Sequence, residues 1–187
     1  KDLNIIYFGK KLSDPNEYSF VPGAYRQSED YTGIANSVYT PSGSRNLFEP
    51  AITLTHADGN NSLDLKFLDS KVEKLDSNVS LISVSLKDPV YDFFVTLYYK
   101  VYYKEDVVEQ WSKIMHKEKG NVVVYKYASA NVYLQSKAFW LKQYHGDWAK
   151  EMQPEISKLT HGIKTLDSKL GTRADLFQPP VFMISLD

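Results

Sequence analysis

Short apolar segments that alternate with polar residues recur along most of this chain. The clearest alternation is in residues 62–68. There the two kinds of side chain occupy opposite faces, with Leu63, Leu65 and Phe67 on one and Asp64 and Lys66 on the other. A period of two is typical of a strand with one buried face. Because the turn residues Asp58-Gly59 separate this segment from residues 51–57, the pattern predicts a β-hairpin over residues 51–68.

Three more strands are predicted in the middle of the chain. Residues 79–86 alternate apolar residues with serines, and Asp88-Pro89 should end this strand because proline cannot donate to a ladder. Residues 91–103 form the longest predicted strand, and because both of its faces are partly apolar, we expect it deep in a two-sheet sandwich. Residues 107–115 follow a turn and predict a strand, although a helix over 105–116 also fits the spacing of the apolar residues.

The remaining segments complete an all-β pattern. Residues 3–8 predict an opening strand, and residues 13–33 predict a loop whose tyrosines pack on a surface. Further strands are predicted within residues 122–134, 139–173 and 181–186. Strands at roughly 10-residue spacing are typical of an antiparallel sandwich. We therefore expect a single all-β domain over residues 1–187, truncated at its C-terminal end because the chain stops on a core strand.

Composition and charge exclude several classes of function. Fourteen tyrosines and nine phenylalanines favour strands. The formal charge of −1, from 22 basic and 23 acidic residues, leaves no basic patch for nucleic acid or an anionic membrane surface. No apolar run reaches the ~18 residues that a membrane span requires. Cysteine is absent, which excludes disulfides and thiolate chemistry. Lys1 is not an initiator methionine, so we expect a piece of a longer gene product, with periplasmic or secreted placement favoured.

Motifs for catalysis or cofactor binding are scarce. The four histidines lie in separate segments without metal-ligand spacing, so we expect no metal. Neither a nucleophile elbow nor a phosphate-binding loop occurs, and we expect no cofactor. Catalysis by a carboxylate pair stays open at this stage, because 23 acidic residues offer many pairs and only geometry selects one.

Two ordered motifs near the C-terminal end carry a family resemblance. The run HGDWAKEM contains Gly146, Trp148 and Glu151 in the pattern G-x-W-x-x-E, and LTHGIKTLDSKLGTR contains a second pattern, G-x-x-x-x-x-S-x-x-G, at Gly162, Ser168 and Gly171. The earlier residues 39–67 add a glutamate-proline-alanine segment and an Asp-Gly turn. These features resemble the N-terminal β-domain of glycoside hydrolase family 36, the α-galactosidases that remove terminal galactose from raffinose-type oligosaccharides and galactomannans.

The resemblance implies a specific fold and a division of labour. It implies an antiparallel, galactose-mutarotase-like β-supersandwich that packs on a catalytic (β/α)₈ barrel of the same polypeptide and helps to form a tetramer. Family members are retaining glycosidases whose two catalytic aspartates lie on that barrel, about 5 Å apart. A barrel requires ~250 residues with alternating helices, which this chain lacks. The resemblance therefore implies that the catalytic aspartates lie beyond Asp187 and that this chain alone is inactive.

The loop at residues 39–50 corresponds to a family loop that approaches a neighbouring active site. Several relatives carry an aspartate and an arginine where this chain has Asn46 and Phe48. Asn46 could hydrogen-bond a sugar hydroxyl, Phe48 could stack on a sugar ring, and Arg45 could supply the charge from one residue away. A plain surface loop is the alternative.

Trp148 and Glu151 have two interpretations. They could lie at the barrel interface or the substrate entrance, whereas a tryptophan with alternating neighbours is more often a core residue. Arg173 could make an ion pair at the same interface. The alternative function for the whole chain is a free-standing carbohydrate-binding β-sandwich, which the aromatic content alone favours.

Overall fold

A computed structural model of the chain describes residues 3–20, 36–43, 49–134, 136–168 and 177–186. Within these ranges it contains one 3₁₀ helix, Pro15–Phe20, and nine strands. The strands are β1 (Ile52–Thr55), β2 (Lys66–Lys74), β3 (Val79–Lys87), β4 (Phe93–Tyr102), β5 (Val107–His116), β6 (Val123–Tyr127), β7 (Phe139–His145), β8 (Gln153–Lys158) and β9 (Phe182–Leu186). Every strand pair within a sheet is antiparallel. The all-β antiparallel class is therefore confirmed.

The chain divides into two compact units, Lys1–Tyr133 and Leu134–Asp187. The prediction of a single domain over residues 1–187 stays a prediction. Over the described ranges, no helix combines the length and the apolar character that a bilayer crossing would demand.

The first unit is built around a four-stranded sheet in the order β2-β3-β4-β5, with β1 and β6 paired in a second sheet. The three strands predicted over residues 79–115 are confirmed as β3, β4 and β5, and the helical alternative for residues 105–116 is wrong. On β4 the side chains of Phe93, Val95 and Leu97 are fully buried. They form one core with residues of β1 and with the segment that precedes β2. Burial of each such side chain contributes roughly 1.5–3 kcal/mol.

The predicted hairpin over residues 51–68 is wrong, although its turn is present. Gly59 N–H donates to the His56 carbonyl at 2.9 Å and has a φ of 91°. β1 nevertheless pairs with β6, and β2 pairs with β3. The reason lies at Asp64, whose backbone N–H donates to the Asp88 carboxylate at 2.8 Å instead of to a neighbouring strand. Leu63 and Leu65 are buried in the core as predicted, but Phe67 is 39% exposed.

Two other predicted strands are also absent. Residues 3–8 form one isolated β-bridge, between Asn4 and Ser37. The side-chain amide of Asn36 donates a hydrogen bond to the Ile5 carbonyl at 2.8 Å, so no strand ladder continues from this bridge. In residues 122–134 only β6 forms, and Ala128 N–H donates to the Ala51 carbonyl beyond its end. The predicted loop at 13–33 begins with the 3₁₀ helix Pro15–Phe20, and the remainder lies outside the described residues.

The second unit contains a three-stranded sheet in the order β8-β7-β9. The last strand predicted from residues 181–186 is confirmed as β9, which pairs with β7. Leu141 and Gln143 on β7 point to one face and are buried, at 3% and 2% exposure. The opposite face carries Trp140, which is partly exposed, and the register places Ile156 and Met183 on that face because both pair with Lys142.

Candidate functional site

The loop at residues 39–50 is anchored at both of its described flanks. Three predicted site residues in it, Arg45, Asn46 and Phe48, lie outside the described residues. On one flank Tyr39 donates its hydroxyl to the Ala128 carbonyl at 2.9 Å, and burial raises the pKa of this phenol. On the other flank Ala51 N–H donates to the Thr40 carbonyl at 2.8 Å. The described flanks thus meet beside β1.

A close backbone approach and an ion pair add to this anchoring. A Cβ at Gly43 would lie 2.3 Å from the Leu63 carbonyl oxygen, far inside van der Waals contact. Leu63 is fully buried, so the absence of a side chain at Gly43 lets the loop flank pack directly on the core. Glu49 makes an exposed ion pair with Lys126 on β6.

Trp148 lies in the turn between β7 and β8. Asp147 and Lys150 exchange backbone hydrogen bonds of 3.2 and 3.0 Å, and the Asp147 carboxylate accepts the Trp148 N–H at 2.7 Å. Ala149 and Met152 have φ values of 58° and 55°, which turn the chain sharply. Trp148 is 79% exposed, so within the described part of the chain it is not a core residue. Its indole presents a large apolar surface that could stack on a sugar ring or pack on another protein surface.

A polar network lies beside this turn, where β7 pairs with β8. His145 Nε2 is 2.5 Å from Oε2 of Glu155, and this hydrogen bond lowers the pKa of the Glu155 carboxyl, with a smaller contribution from Gln143. Gln143 is buried at 2% exposure, and its Oε1 accepts from Gln178 Nε2 at 3.5 Å. The network presents amide, imidazole and carboxylate groups, which can hydrogen-bond hydroxyls. Glu151, the other residue of the first motif, is exposed.

The structure brings together a second polar cluster that sequence reasoning missed. His56 and Glu118 form a buried hydrogen-bonded pair, with side chains 0% and 7% exposed. Tyr91 stacks on the His56 ring and donates its hydroxyl to Asp58 at 2.8 Å. The hydrogen bond to Asp58 raises the pKa of Tyr91. The pKa of Asp58 is lowered, mainly by the hydrogen bond from the Asn60 backbone N–H and then by the one from the Tyr91 hydroxyl. No local signal could have found this cluster, because it joins turns that are far apart in sequence.

Metal binding has no support in the described ranges. There, no three or more histidine, cysteine, aspartate and glutamate side chains lie close enough together to hold a metal ion. Of the residues predicted to serve a site, Trp148 and Glu151 have described positions, whereas Arg173 lies outside the described residues with Arg45, Asn46 and Phe48.

The whole chain is similar to a known protein family. Residues 1–187 match the glycosyl hydrolase family 36 N-terminal domain. Over 192 residues the chain is 24% identical to alpha-galactosidase 2 of Hypocrea jecorina, and the match covers 96% of this chain and 26% of that protein. Over 209 residues it is 23% identical to alpha-galactosidase Mel36A of Lactobacillus acidophilus, covering 99% of this chain and 29% of that protein.

Solved structures share the fold. The GH36 alpha-galactosidase AgaA of Geobacillus stearothermophilus has a TM-score of 0.79 to this chain at 17% identity, over 95% of this chain and 28% of AgaA. The chain thus spans between a quarter and a third of the length of these relatives. Because the family match covers every residue, the chain belongs to the family of glycosyl hydrolase family 36 N-terminal domains.

Proposed function

We propose that this chain is the non-catalytic N-terminal β-domain of an α-galactosidase that hydrolyses terminal α-galactosides. The observation that carries the proposal is the match of all 187 residues to the N-terminal domain of this family. About three quarters of each relative lies outside the matched segment, which leaves room for a separate catalytic domain. A variant of AgaA has been solved with raffinose and another with stachyose, which supports raffinose-type oligosaccharides as the substrate class. Galactomannan is proposed as a further substrate from the family resemblance alone.

We further propose that the three-stranded sheet packs against later parts of the same polypeptide. Trp140, Ile156 and Met183 share one face of that sheet and are 38%, 64% and 54% exposed in this chain. Apolar side chains that share a face gain free energy when a further surface covers them. The rest of the parent, including a catalytic barrel, is the occupant that the partial coverage of the relatives favours.

The loop at residues 39–50 and the Trp148 turn are proposed to serve assembly and the substrate entrance. Arg45, Asn46 and Phe48 would contact sugar or a neighbouring subunit of a tetramer. Trp148 supports a contact role because its indole is exposed and held on a hydrogen-bonded turn. The same exposure favours the second candidate function, a free-standing carbohydrate-binding module. That function predicts sugar binding that needs no further domain.

Kinetics of the full-length parent test the entrance role. Trp148→Ala should raise KM for raffinose several-fold while leaving kcat for the small substrate p-nitrophenyl α-galactoside unchanged, since that substrate needs few contacts outside the catalytic site. Ile163→Ala is a matched control, because Ile163 is also 79% exposed but lies outside this turn. Equal KM values for wild type and Trp148→Ala would refute the entrance role.

Sedimentation of the parent with and without residues 1–187 tests assembly: the proposal expects loss of the tetramer on deletion.

A further inference from the structure

The outer face of the four-stranded sheet carries a row of aromatic and hydroxyl side chains. Phe93, Val95 and Leu97 of β4 point into the core. Because successive residues of a strand point to opposite faces, Thr96 and Tyr98 project from the outer face. This face belongs to the first unit, and its residues are different from those of the loop and the turn described above.

Two aromatic rings on this face form a stacked pair. Tyr98 on β4 pairs in register with Trp111 on β5. Their ring centroids are 5.0 Å apart and their planes differ by 8°, which is an offset-stacked arrangement. Both side chains are only half-buried, so part of each ring faces solvent. Stacking holds each ring in one orientation, which makes the pair a rigid apolar platform.

Small hydroxyl side chains lie beside this platform. In register, Ser83 of β3 is opposite Tyr98, and Ser85 is opposite Thr96. Within the described part of the chain, the hydroxyl groups of these three small residues have no hydrogen-bond partner. Ser83 is much shorter than Lys71 and Tyr98, which lie opposite it on β2 and β4, so the outer face dips over Ser83 and forms a shallow groove there. Its floor offers hydrogen-bonding groups and its β4 wall offers an aromatic ring.

The charges around the groove are balanced. On the β2 side, Lys71 is opposite Ser83 and makes an ion pair with Glu73 at 2.9 Å. On the β5 side, Glu109 accepts from the Tyr102 hydroxyl at 3.2 Å, and Lys100 lies 5.1 Å from the Tyr102 ring centroid. Asp69 of β2, opposite Ser85, and Lys113 of β5, opposite Thr96, add one charge of each sign. These six side chains carry no net charge together, so the groove attracts neither a polyanion nor a polycation. This electrostatic character fits a neutral ligand.

We propose that this groove binds a neutral oligosaccharide chain. The apolar face of one sugar ring would pack on Tyr98 and Trp111, while its hydroxyls hydrogen-bond Ser83, Ser85 and Thr96. Sugars need this combination, because one face of the ring is apolar and its edge carries hydroxyl groups. If an aliphatic surface of another protein covered the groove instead, the hydroxyl groups of the groove floor would be buried without hydrogen-bond partners, which is unfavourable. The inference goes beyond the proposed function, because it concerns residues other than those proposed above for assembly and substrate entry.

The test uses the full-length parent in native gels that contain soluble galactomannan, with free galactose added to occupy the catalytic site. Wild type should be retarded, and Tyr98→Ala and Trp111→Ala should bind at least about tenfold more weakly, as expected when a central aromatic contact is lost. Ser83→Lys fills the groove without removing a ring and should also abolish retardation. Tyr125→Ala is the matched control, because Tyr125 is 67% exposed on β6 in the other sheet.

The outcomes separate this proposal from the proposed function. The rate of p-nitrophenyl α-galactoside hydrolysis should be the same in all four variants. If wild type did not hydrolyse this substrate, the α-galactosidase assignment would be refuted, whereas the proposal of oligosaccharide binding in the groove would be unaffected. An unretarded wild type, or a Ser83→Lys variant retarded like wild type, would overturn the groove. Stronger retardation in polygalacturonate than in galactomannan would overturn its preference for a neutral ligand. A change of sedimentation coefficient in Ser83→Lys would assign the face to a second copy of the chain instead.

Discussion

The Nδ1 atom of His56 lies 2.8 Å from Oε1 of Glu118, although 62 residues separate them. The second oxygen of the same carboxylate accepts the Ala57 N–H at 3.0 Å. The His56 ring stacks on Tyr91, with centroids 3.7 Å apart and an angle of 9° between the planes. Because a carboxylate can only accept, Nδ1 carries the proton of this bond. Glu118 therefore joins the turn after β1 to the turn between β5 and β6.

Replacing the Glu118 carboxylate by an amide should destabilise the first unit. Glu118→Gln leaves one acceptor oxygen for two buried donors and places an N–H₂ against one of them. We expect the free energy of unfolding to fall by about 1–3 kcal/mol, as for a buried donor that loses its partner. Urea unfolding followed by tryptophan fluorescence measures the change. Glu151→Gln, at an exposed glutamate, should leave the midpoint unchanged. Equal midpoints for Glu118→Gln and wild type would show that the pair contributes no stability.

Truncation in the centre of β4 should cause a larger loss. Leu97 is fully buried between β3 and β5, so Leu97→Ala removes buried methylene groups and leaves a cavity. The expected loss is about 2–5 kcal/mol. Val90→Ala is the control, since Val90 is 80% exposed and its truncation should change stability by no more than about 0.5 kcal/mol. Thermal unfolding would contradict the assigned core if both variants melted at the same temperature.

Gly43 should resist substitution for a steric reason. An added Cβ would meet the Leu63 backbone oxygen at 2.3 Å and nitrogen at 2.5 Å, and backbone atoms of the core cannot move aside easily. Gly43→Ala should lower the free energy of unfolding by about 1–3 kcal/mol, as in overpacked cores. Gly162→Ala separates the two possible causes of a loss, because a φ of 111° strains the backbone of an alanine there, whereas an added Cβ has no atom within 4 Å. If Gly43→Ala unfolded at the same urea concentration as wild type, the close approach of the loop flank to Leu63 would be wrong.

The turn between β2 and β3 should respond to acid through Asp76. Its Oδ1 accepts backbone N–H groups from Asn78 at 2.6 Å and Val79 at 2.8 Å, and these bonds lower the pKa of Asp76. A carboxyl with a lowered folded-state pKa stabilises the fold above its ordinary value of about 4, and the stabilisation is lost as pH falls through the folded-state pKa.

Melting temperatures across pH check this sign. Wild type should melt above Asp76→Ala at about pH 7, and the difference should shrink as the pH falls below about 4. Asp69→Ala is the control, because Asp69 is exposed and has no hydrogen bond within the described part of the chain. At about pH 7, Asp69→Ala should melt at the same temperature as wild type, because it removes no hydrogen bond of the turn. A constant difference for Asp76→Ala would show that the turn bonds do not depend on the ionised carboxylate.

The strands with local signals were predictable from sequence. Alternation and the Asp88-Pro89 break located β3 and β4, because a period of two and a missing proline donor act within a few residues. Strand pairing was less predictable. The false hairpin over residues 51–68 arose because Asp64 bonds a carboxylate 24 residues away, which no local pattern reveals.

The candidate sites were also predictable only where the signal is local in sequence. The alternating neighbours of Trp148 favoured a core residue, and this interpretation is wrong because the side chain is 79% exposed on a turn. The His56–Glu118 pair and the Tyr98–Trp111 platform depend on contacts between separate strands and turns. Such contacts become visible only once the strand register is known.

The central claim is that this chain is a β-domain whose catalytic acids lie elsewhere in the parent. Hydrolysis of p-nitrophenyl α-galactoside by the purified 187-residue chain, measured beside the full-length parent at equal molar concentration, tests it most directly. The account predicts turnover by the parent and none above the uncatalysed rate for the chain alone. Turnover by the 187-residue chain at a rate comparable to that of the parent would contradict it.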